Sequence, residues 1–342
     1  MNDYYNHMKS SRNSYLDVVK GLGILLVVAG HAIQYGMGSG YDGFWNLPMF
    51  KFIYSFHMPL FMAVSGWLFW FSYSKRGGKS VLKDRAKTLL YPIFVYGIIC
   101  NIPVLIRNPE GFSVHNAFFK ANLWFFWSVL FATCLACLMF KLNKLFHIKE
   151  WVSVFVLFFG MMLFDDNWLI AQHKFVVPYF LLGGVICKYK LAHCGQKCWV
   201  VIPLYCLGML FYKSDTYIYV SMYSITQGDA MSHLWTDIYR FVVGALGTVS
   251  FMLLVKYMWM FIEKWQLVLD ALMWLGKNTL FIYFIQGLVF AVLARVTMPY
   301  MGVWQPCATF IFVMAASACF VMMVRRSLFV GRLFFGKDYR DR

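Results

Sequence analysis

Two histidines stand where helices long enough to cross a bilayer should hold only hydrocarbon. His31 closes the run Tyr15-Leu-Asp-Val-Val-Lys-Gly-Leu-Gly-Ile-Leu-Leu-Val-Val-Ala-Gly-His31, and His57 lies in the next apolar run, Phe52-Ile-Tyr-Ser-Phe-His57-Met-Pro-Leu-Phe61. Ionisable groups at membrane depth are costly and rare, so each marks a functional site unless packing accounts for it. Lys20 precedes His31 by eleven residues, close to three helical turns and about 16 Å of rise, which puts both on one helix face. Asp17, one turn before Lys20, joins that stripe. An imidazole with an ordinary pKa of about 6.5 takes or gives a proton near neutral pH. It can act as general base for an attacking hydroxyl or as one step in a transporter's proton relay. It can also simply hydrogen-bond a neighbouring helix. The residue types leave all three open.

The elements that must position these groups are membrane spans. The 342-residue chain is 61% hydrophobic and only 13% charged, with a mean hydropathy of +0.61 and 35 Phe, 21 Tyr and 13 Trp. Runs long enough to cross about 30 Å of hydrocarbon recur along its length. Ten spans are expected, near residues 17–37, 52–73, 88–106, 122–140, 151–164, 175–187, 198–212, 238–262, 279–297 and 306–324. Those at 151–164, 175–187 and 198–212 are short. Basic residues collect in cytoplasmic loops, and an inside N-terminus assigns 22 of the 31 Lys and Arg to the cytoplasmic side and 5 to the loops opposite. Both termini are therefore expected in the cytoplasm. The net charge of +16 follows from the same rule, so nucleic acid is not an expected partner.

The polar start of the chain and the lack of a small-residue cleavage pattern argue against a removable signal peptide. Nine cysteines, an odd number, argue against a complete disulfide framework. Cys134 and Cys137 form a CxxC without a second ligand pair, so no metal site is expected. No repeat, low-complexity segment or long linker interrupts the chain, which reads as one all-helical membrane bundle.

In the second span, running the opposite way, His57 lies about 8 Å from the outer end, against roughly 9 Å for His31. The two imidazoles are expected at similar depth on neighbouring antiparallel helices. Pro59 and the Ser65-Gly66 pair should loosen or kink the second helix and let another backbone or a ligand approach it closely.

These residues, in order, resemble the membrane-bound acyltransferase-3 family. The likeness rests on Tyr15 to Gly21 with His31, and on Phe56-His-Met-Pro-Leu-Phe-Met-Ala-Val-Ser-Gly66. It continues through the basic entry to the third span, Leu123-Trp-Phe-Phe-Trp127, Tyr179-Phe-Leu-Leu-Gly-Gly184 and Leu275-Gly-Lys-Asn-Thr-Leu-Phe-Ile-Tyr283. The resemblance implies about ten spans and transfer of an acyl group, usually acetyl from acetyl-CoA, to hydroxyls of cell-surface polysaccharide, lipid-linked glycan or lipopolysaccharide. It makes His31 catalytic, Lys20 its basic partner, and acyl-CoA a co-substrate rather than a bound cofactor. The family's arginine-x-x-arginine, tied to the acyl-CoA side, falls on Arg85 and Thr88, with Lys87 or Lys83 in reach of the missing charge. Many relatives continue Tyr-x-x-His where this chain has Tyr283 and Gln286.

The expectation is a transmembrane acyltransferase domain over 17–324, between a cytoplasmic segment, 1–16, and a basic cytoplasmic tail, 325–342, in the inner or plasma membrane. His31 and His57 are the catalytic candidates; Asp17, Lys20, Arg85, Lys87 and Trp124 are the candidates for binding donor or acceptor. The stretch Ser74–Lys87, read as a loop, carries six cations and one acid suited to nucleotide phosphates, to lipid head groups or to positive-inside anchoring. Trp124 and Trp127 suit an interfacial aromatic belt or a sugar platform. Asp165 and Asp166 are expected in an outer loop, solvated or binding an acceptor, and Arg240, near the outer end of its span, can snorkel or serve the site. The competing class is a proton-coupled transporter or flippase of a glycan intermediate, though paired halves with matching broken helices are not evident.

Overall fold

A computed structural model describes residues 14–37, 42–107, 123–164, 170–189, 199–221, 230–295, 299 and 302–340. Among these the chain is all helix, without strands. The helices are α1 (Ser14–Gly36), α2 (Pro48–Arg76), α3 (Gly78–Arg107), α4 (Trp124–Phe146), α5 (Glu150–Met162), α6 (Ile170–Lys188), α7 (Val201–Leu210), the single turn α8 (Ile218–Ser221), α9 (Ala230–Ile262), α10 (Gln266–Lys277), α11 (Thr279–Leu293), α12 (Trp304–Arg326) and α13 (Leu328–Phe335). Seven of them are long and apolar enough to span a bilayer, or eight if α10 and α11, bent 71° at their junction, make one span. The chain is thus a multi-pass membrane protein.

The expected ten spans meet this structure unevenly. The run expected over 175–187 extends back to Ile170 and reaches 19 residues. The runs at 151–164 and 198–212 form helices of 13 and 10 residues. At 1.5 Å per residue these measure about 20 and 15 Å, short of the hydrocarbon thickness. The stretch Ser74–Lys87 is not a loop: α2 runs to Arg76, Gly77 alone breaks the helix, and α3 begins at Gly78. The Lys, Leu, Arg and Ala that fill this stretch are all good helix formers. Asp165 and Asp166 lie outside the described residues.

The histidine-bearing helices sit inside the bundle. The apolar windows of α1, α2 and α6 are 61%, 67% and 72% buried, against 28% for both α3 and α12, whose outward faces present apolar side chains suited to lipid. Two glycine seams set this arrangement. A Cβ at Gly66 on α2 would stand 2.7 Å from the carbonyl carbon of Phe180 on α6, and one at Gly183 would stand 2.8 Å from that of Ala63. The backbones therefore touch, as small residues allow between membrane helices. This is the close approach expected at Gly66, and α2 passes Pro59 without interruption. The same reciprocal contact joins α1 to α10 through Gly21 and Gly276.

The α10–α11 break is organised by Asn278, which is 2% exposed. Its Nδ2 donates to the Trp274 carbonyl at 2.7 Å. Its Oδ1 accepts from Arg325 Nε at 3.1 Å and from a terminal guanidinium nitrogen at 2.8 Å. Arg325, at the end of α12, also lies over the Phe281 ring, 5.5 Å from its centre. The basic tail is thereby packed into the bundle beside the bend.

Candidate functional site

A cavity of about 170 Å³ opens between α1, α2, α3, α4 and α11. Lys20 and Arg85 are its charged lining residues, with Ser65, Thr279 and Tyr283 as polar neighbours in a largely apolar wall. On α1 its lining runs from Lys20 to Val27 and on α2 from Leu68 to Met58, or about 10 and 15 Å along the helices. It is a narrow slot parallel to the bundle axis with both cations toward one end. The unbroken helix from Ser14 to Gly36 keeps the spacing read from the sequence. His31 stands one turn beyond Val27, and Gln286 stands nearly one turn beyond Tyr283 on α11.

Lys20 is held by Asp17, whose carboxylate lies 2.7 Å from its Nζ. Asp17 is 3% exposed and lies where α10 touches α1: a Cβ at Gly276 would stand 2.6 Å from the Asp17 carbonyl carbon. Both sequence candidates on this stripe are therefore fixed by the α1–α10 seam. Arg85 enters the slot from the second turn of α3, whereas Lys87 is exposed and outside its wall. At Thr88 the structure supplies a cation from an unexpected direction. Lys337, following α13, donates to Thr88 Oγ1 at 2.7 Å and lies 3.3 Å from an Asp84 carboxylate oxygen.

The two histidines are neighbours through a third ring. Tyr54 lies 4.8 Å from the His57 ring and 6.5 Å from the His31 ring, centre to centre, and its hydroxyl donates to Gln34 Oε1 at 2.8 Å. His57 is 3% exposed, and its Nδ1 donates to the Ile53 carbonyl at 2.8 Å. A carbonyl only accepts, so Nδ1 carries a proton and Nε2 is the basic nitrogen of the neutral ring. His31 packs on Phe290 at 5.5 Å and Tyr35 at 6.0 Å. Sequence reasoning missed Tyr54 and Gln34. The signal was present, since Gln34 follows His31 by three residues and Tyr54 precedes His57 by three, the spacing of a shared helix face.

His57 lines a second, much smaller cavity of about 10 Å³, near the least that holds one water. Tyr54, Tyr217, Tyr219, Arg240 and Met58 share it, and Met58 also borders the main slot. Arg240 does not snorkel. It is 3% exposed and lies 3.3 Å from the buried carboxylate of Asp237, one turn earlier on α9. A buried acid one turn away keeps the guanidinium inside where a bare cation would reach for water. Trp124 is half-buried and outside the slot wall; its ring lies 6.2 Å from Tyr219, on the His57 side. Among the described residues no group of three or more His, Cys, Asp or Glu side chains is arranged to hold a metal.

Comparison with known proteins places the whole chain rather than the site. The sequence model of a family described as an acyltransferase domain matches residues 13–326. Nodulation protein NolL of Sinorhizobium fredii is 27% identical over 297 residues, covering 82% of this chain and 79% of its own length. Nodulation protein NolL of Mesorhizobium japonicum is 24% identical over 366 residues, covering 97% and 92%. No solved structure matches. With its match running from the start of α1 to the end of α12, the chain belongs to the acyltransferase-3 family.

Proposed function

We propose that this membrane acyltransferase moves an acetyl or other short acyl group from acyl-CoA to a hydroxyl of a cell-surface polysaccharide or lipid-linked glycan. The observation that carries the reading is the slot itself: two cations toward one end, apolar walls, and His31 one turn past the other. An acyl-CoA is a polyanionic nucleotide on a thin arm that ends in a thioester. Lys20 and Arg85 hold its phosphates by charge-assisted contacts, with Lys337 adding charge at the same end of α3. Asp17 orients Lys20. The arm fills the slot and presents the thioester toward His31.

In this reading His31 is the general base that takes the proton of the acceptor hydroxyl. Its oxygen attacks the thioester carbon, the C–S bond breaks, and the proton passes to the coenzyme thiolate. His57, its Nδ1 anchored by Ile53, orients the acceptor through Nε2. The tyrosines around it and Trp124 offer the flat apolar and hydroxyl surface a sugar needs. Acyl-CoA is a co-substrate, and no permanent cofactor is invoked. The cationic end faces the cytoplasm, where both termini lie, and the acceptor enters from the outer side of the inner or plasma membrane.

The test is turnover of labelled acetyl-CoA by the detergent-purified protein and by membranes of the native host. Wild type is compared with His31→Ala and Arg85→Ala. The expected result is saturable donor binding weakened by Arg85→Ala, and transfer abolished by His31→Ala with donor binding kept. Normal transfer by a folded His31→Ala protein refutes the mechanism. Absence of donor binding by folded wild type, with proton-coupled movement of a glycan intermediate in its place, moves the assignment to a transporter.

A further inference from the structure

Gln286 occupies the second turn of α11 with no exposed surface. Its amide lies within hydrogen-bonding reach of the His31 imidazole but without the geometry of a completed bond. Neither amide atom of Gln286, nor Nδ1 of His31, completes a hydrogen bond among the described residues. A buried amide with donor and acceptor both unmade is expensive, because it gives up its bonds to water and gains none in exchange. Apolar side chains of the same size abound on α11, so volume alone does not call for an amide here. Gln286 also follows Tyr283, which lines the slot, by nearly one turn. Its neighbour Gly287 lies close under the buried Tyr96 ring, where a Cβ would stand 3.1 Å from the hydroxyl oxygen. The amide is thus held on a packed helix, at the end of the slot, facing the base.

We propose that Gln286 is a catalytic residue of acyl transfer, its Nε2 donating a hydrogen bond to the carbonyl oxygen of the acyl thioester as that oxygen becomes an oxyanion. The acceptor oxygen forms a bond to the thioester carbon and its proton moves to the His31 imidazole. The C=O π pair moves onto oxygen, where Gln286 meets it. When the C=O bond re-forms, the C–S bond breaks and the coenzyme thiolate takes the proton from His31. The products are the ester and the free thiol. A neutral, preorganised donor suits this task in a low-dielectric site, since it stabilises developing charge without placing a cation beside the base. The inference rests on the reading of His31 as the general base.

The test uses the full-length protein in membrane vesicles of the native host, lacking its own copy and supplied with labelled acetyl-CoA. Gln286→Met, Gln286→His and His31→Ala are compared with wild type. Methionine matches the volume of glutamine without a donor, and histidine restores one. The expected result for Gln286→Met is transfer lowered by about 10²–10³ in kcat, with acetyl-CoA binding to the purified protein unchanged within threefold. Gln286→His should recover at least a tenfold part of that loss. Because methionine removes two unmade hydrogen bonds from the interior, Gln286→Met should unfold at the same temperature as wild type or higher. Full transfer by Gln286→Met beside a dead His31→Ala overturns this inference alone. Full transfer by His31→Ala, or wild type inert toward acetyl-CoA, overturns the functional reading beneath it. A loss in Gln286→Met that tracks lost donor binding, or that histidine does not relieve, assigns Gln286 to packing and refutes the proposal.

Discussion

The seam between α1 and α10 sets where Lys20 stands, so Gly276→Ala is the substitution that most directly tests whether this packing matters to the site. A Cβ at position 276 would lie 2.6 Å from the carbonyl carbon of Asp17 and 3.0 Å from its Cα. Ordinary contact needs about 3.5–4.0 Å between carbons, so the two backbones must part by roughly 1 Å at the turn where Asp17 bonds Lys20. Neither obstacle is a side chain that can rotate aside. Overpacking of this kind costs about 1–3 kcal/mol, an apparent Tm lower by roughly 3–10 °C. A 1 Å shift of a positioning group lowers kcat/KM by as much as about 10²-fold, here expected in kcat/KM for acetyl-CoA. The assay pairs thermal unfolding in detergent with donor turnover in membranes. Gly160→Ala on α5 is the control, because a Cβ there meets nothing within 4 Å; removing a helical glycine should leave stability unchanged or raise it by about 0.5–1 kcal/mol. A Gly276→Ala protein with wild-type Tm and wild-type donor kinetics would refute the argument that the seam fixes the site.

Two further substitutions address the ends of the site. Arg240→Leu leaves the carboxylate of Asp237 buried without its guanidinium, at a cost of about 3–5 kcal/mol, most of which the double variant Asp237→Leu/Arg240→Leu should recover; thermal unfolding of all three forms decides, and additive losses would contradict the pairing. Lys337→Ala removes a partly exposed cation whose ion pair contributes under about 1 kcal/mol to stability, so Tm should hold while KM for acetyl-CoA rises roughly 3–10-fold at low salt and much less at high salt; a salt-independent KM equal to that of wild type would remove Lys337 from the donor end.

The legible parts of this protein were those set by local periodicity. The eleven-residue interval from Lys20 to His31 survives as three turns of one helix because α1 runs unbroken through them. Gly66 announced a close approach because a residue without a Cβ lets a neighbouring backbone come nearest. Tyr54 and Gln34 were harder to find. Their spacing from the histidines was visible, but one more tyrosine among 21 carries no contrast. The stretch after Ser74 looked like a loop because its charges masked its helix propensity, and a single residue, Gly77, suffices for the turn. The α10–α11 bend depends on Arg325 reaching Asn278 across 47 residues, and Lys337 meets Thr88 across 249. No local pattern encodes such pairings. Arg240 was misjudged by considering the cation alone when its partner, Asp237, stood one turn away.

The glycine seams also fix what can move. With α1 joined to α10 and α2 joined to α6 backbone against backbone, a slide of one residue along either seam, about 1.5 Å, would bring side-chain-bearing positions against a neighbouring main chain. Helices locked in this way move as pairs, α1 with α10 and α2 with α6. His31 is thereby tied to α10 and His57 to α6, so a change in the distance between the two imidazoles is a movement of whole helix pairs and not of one helix alone.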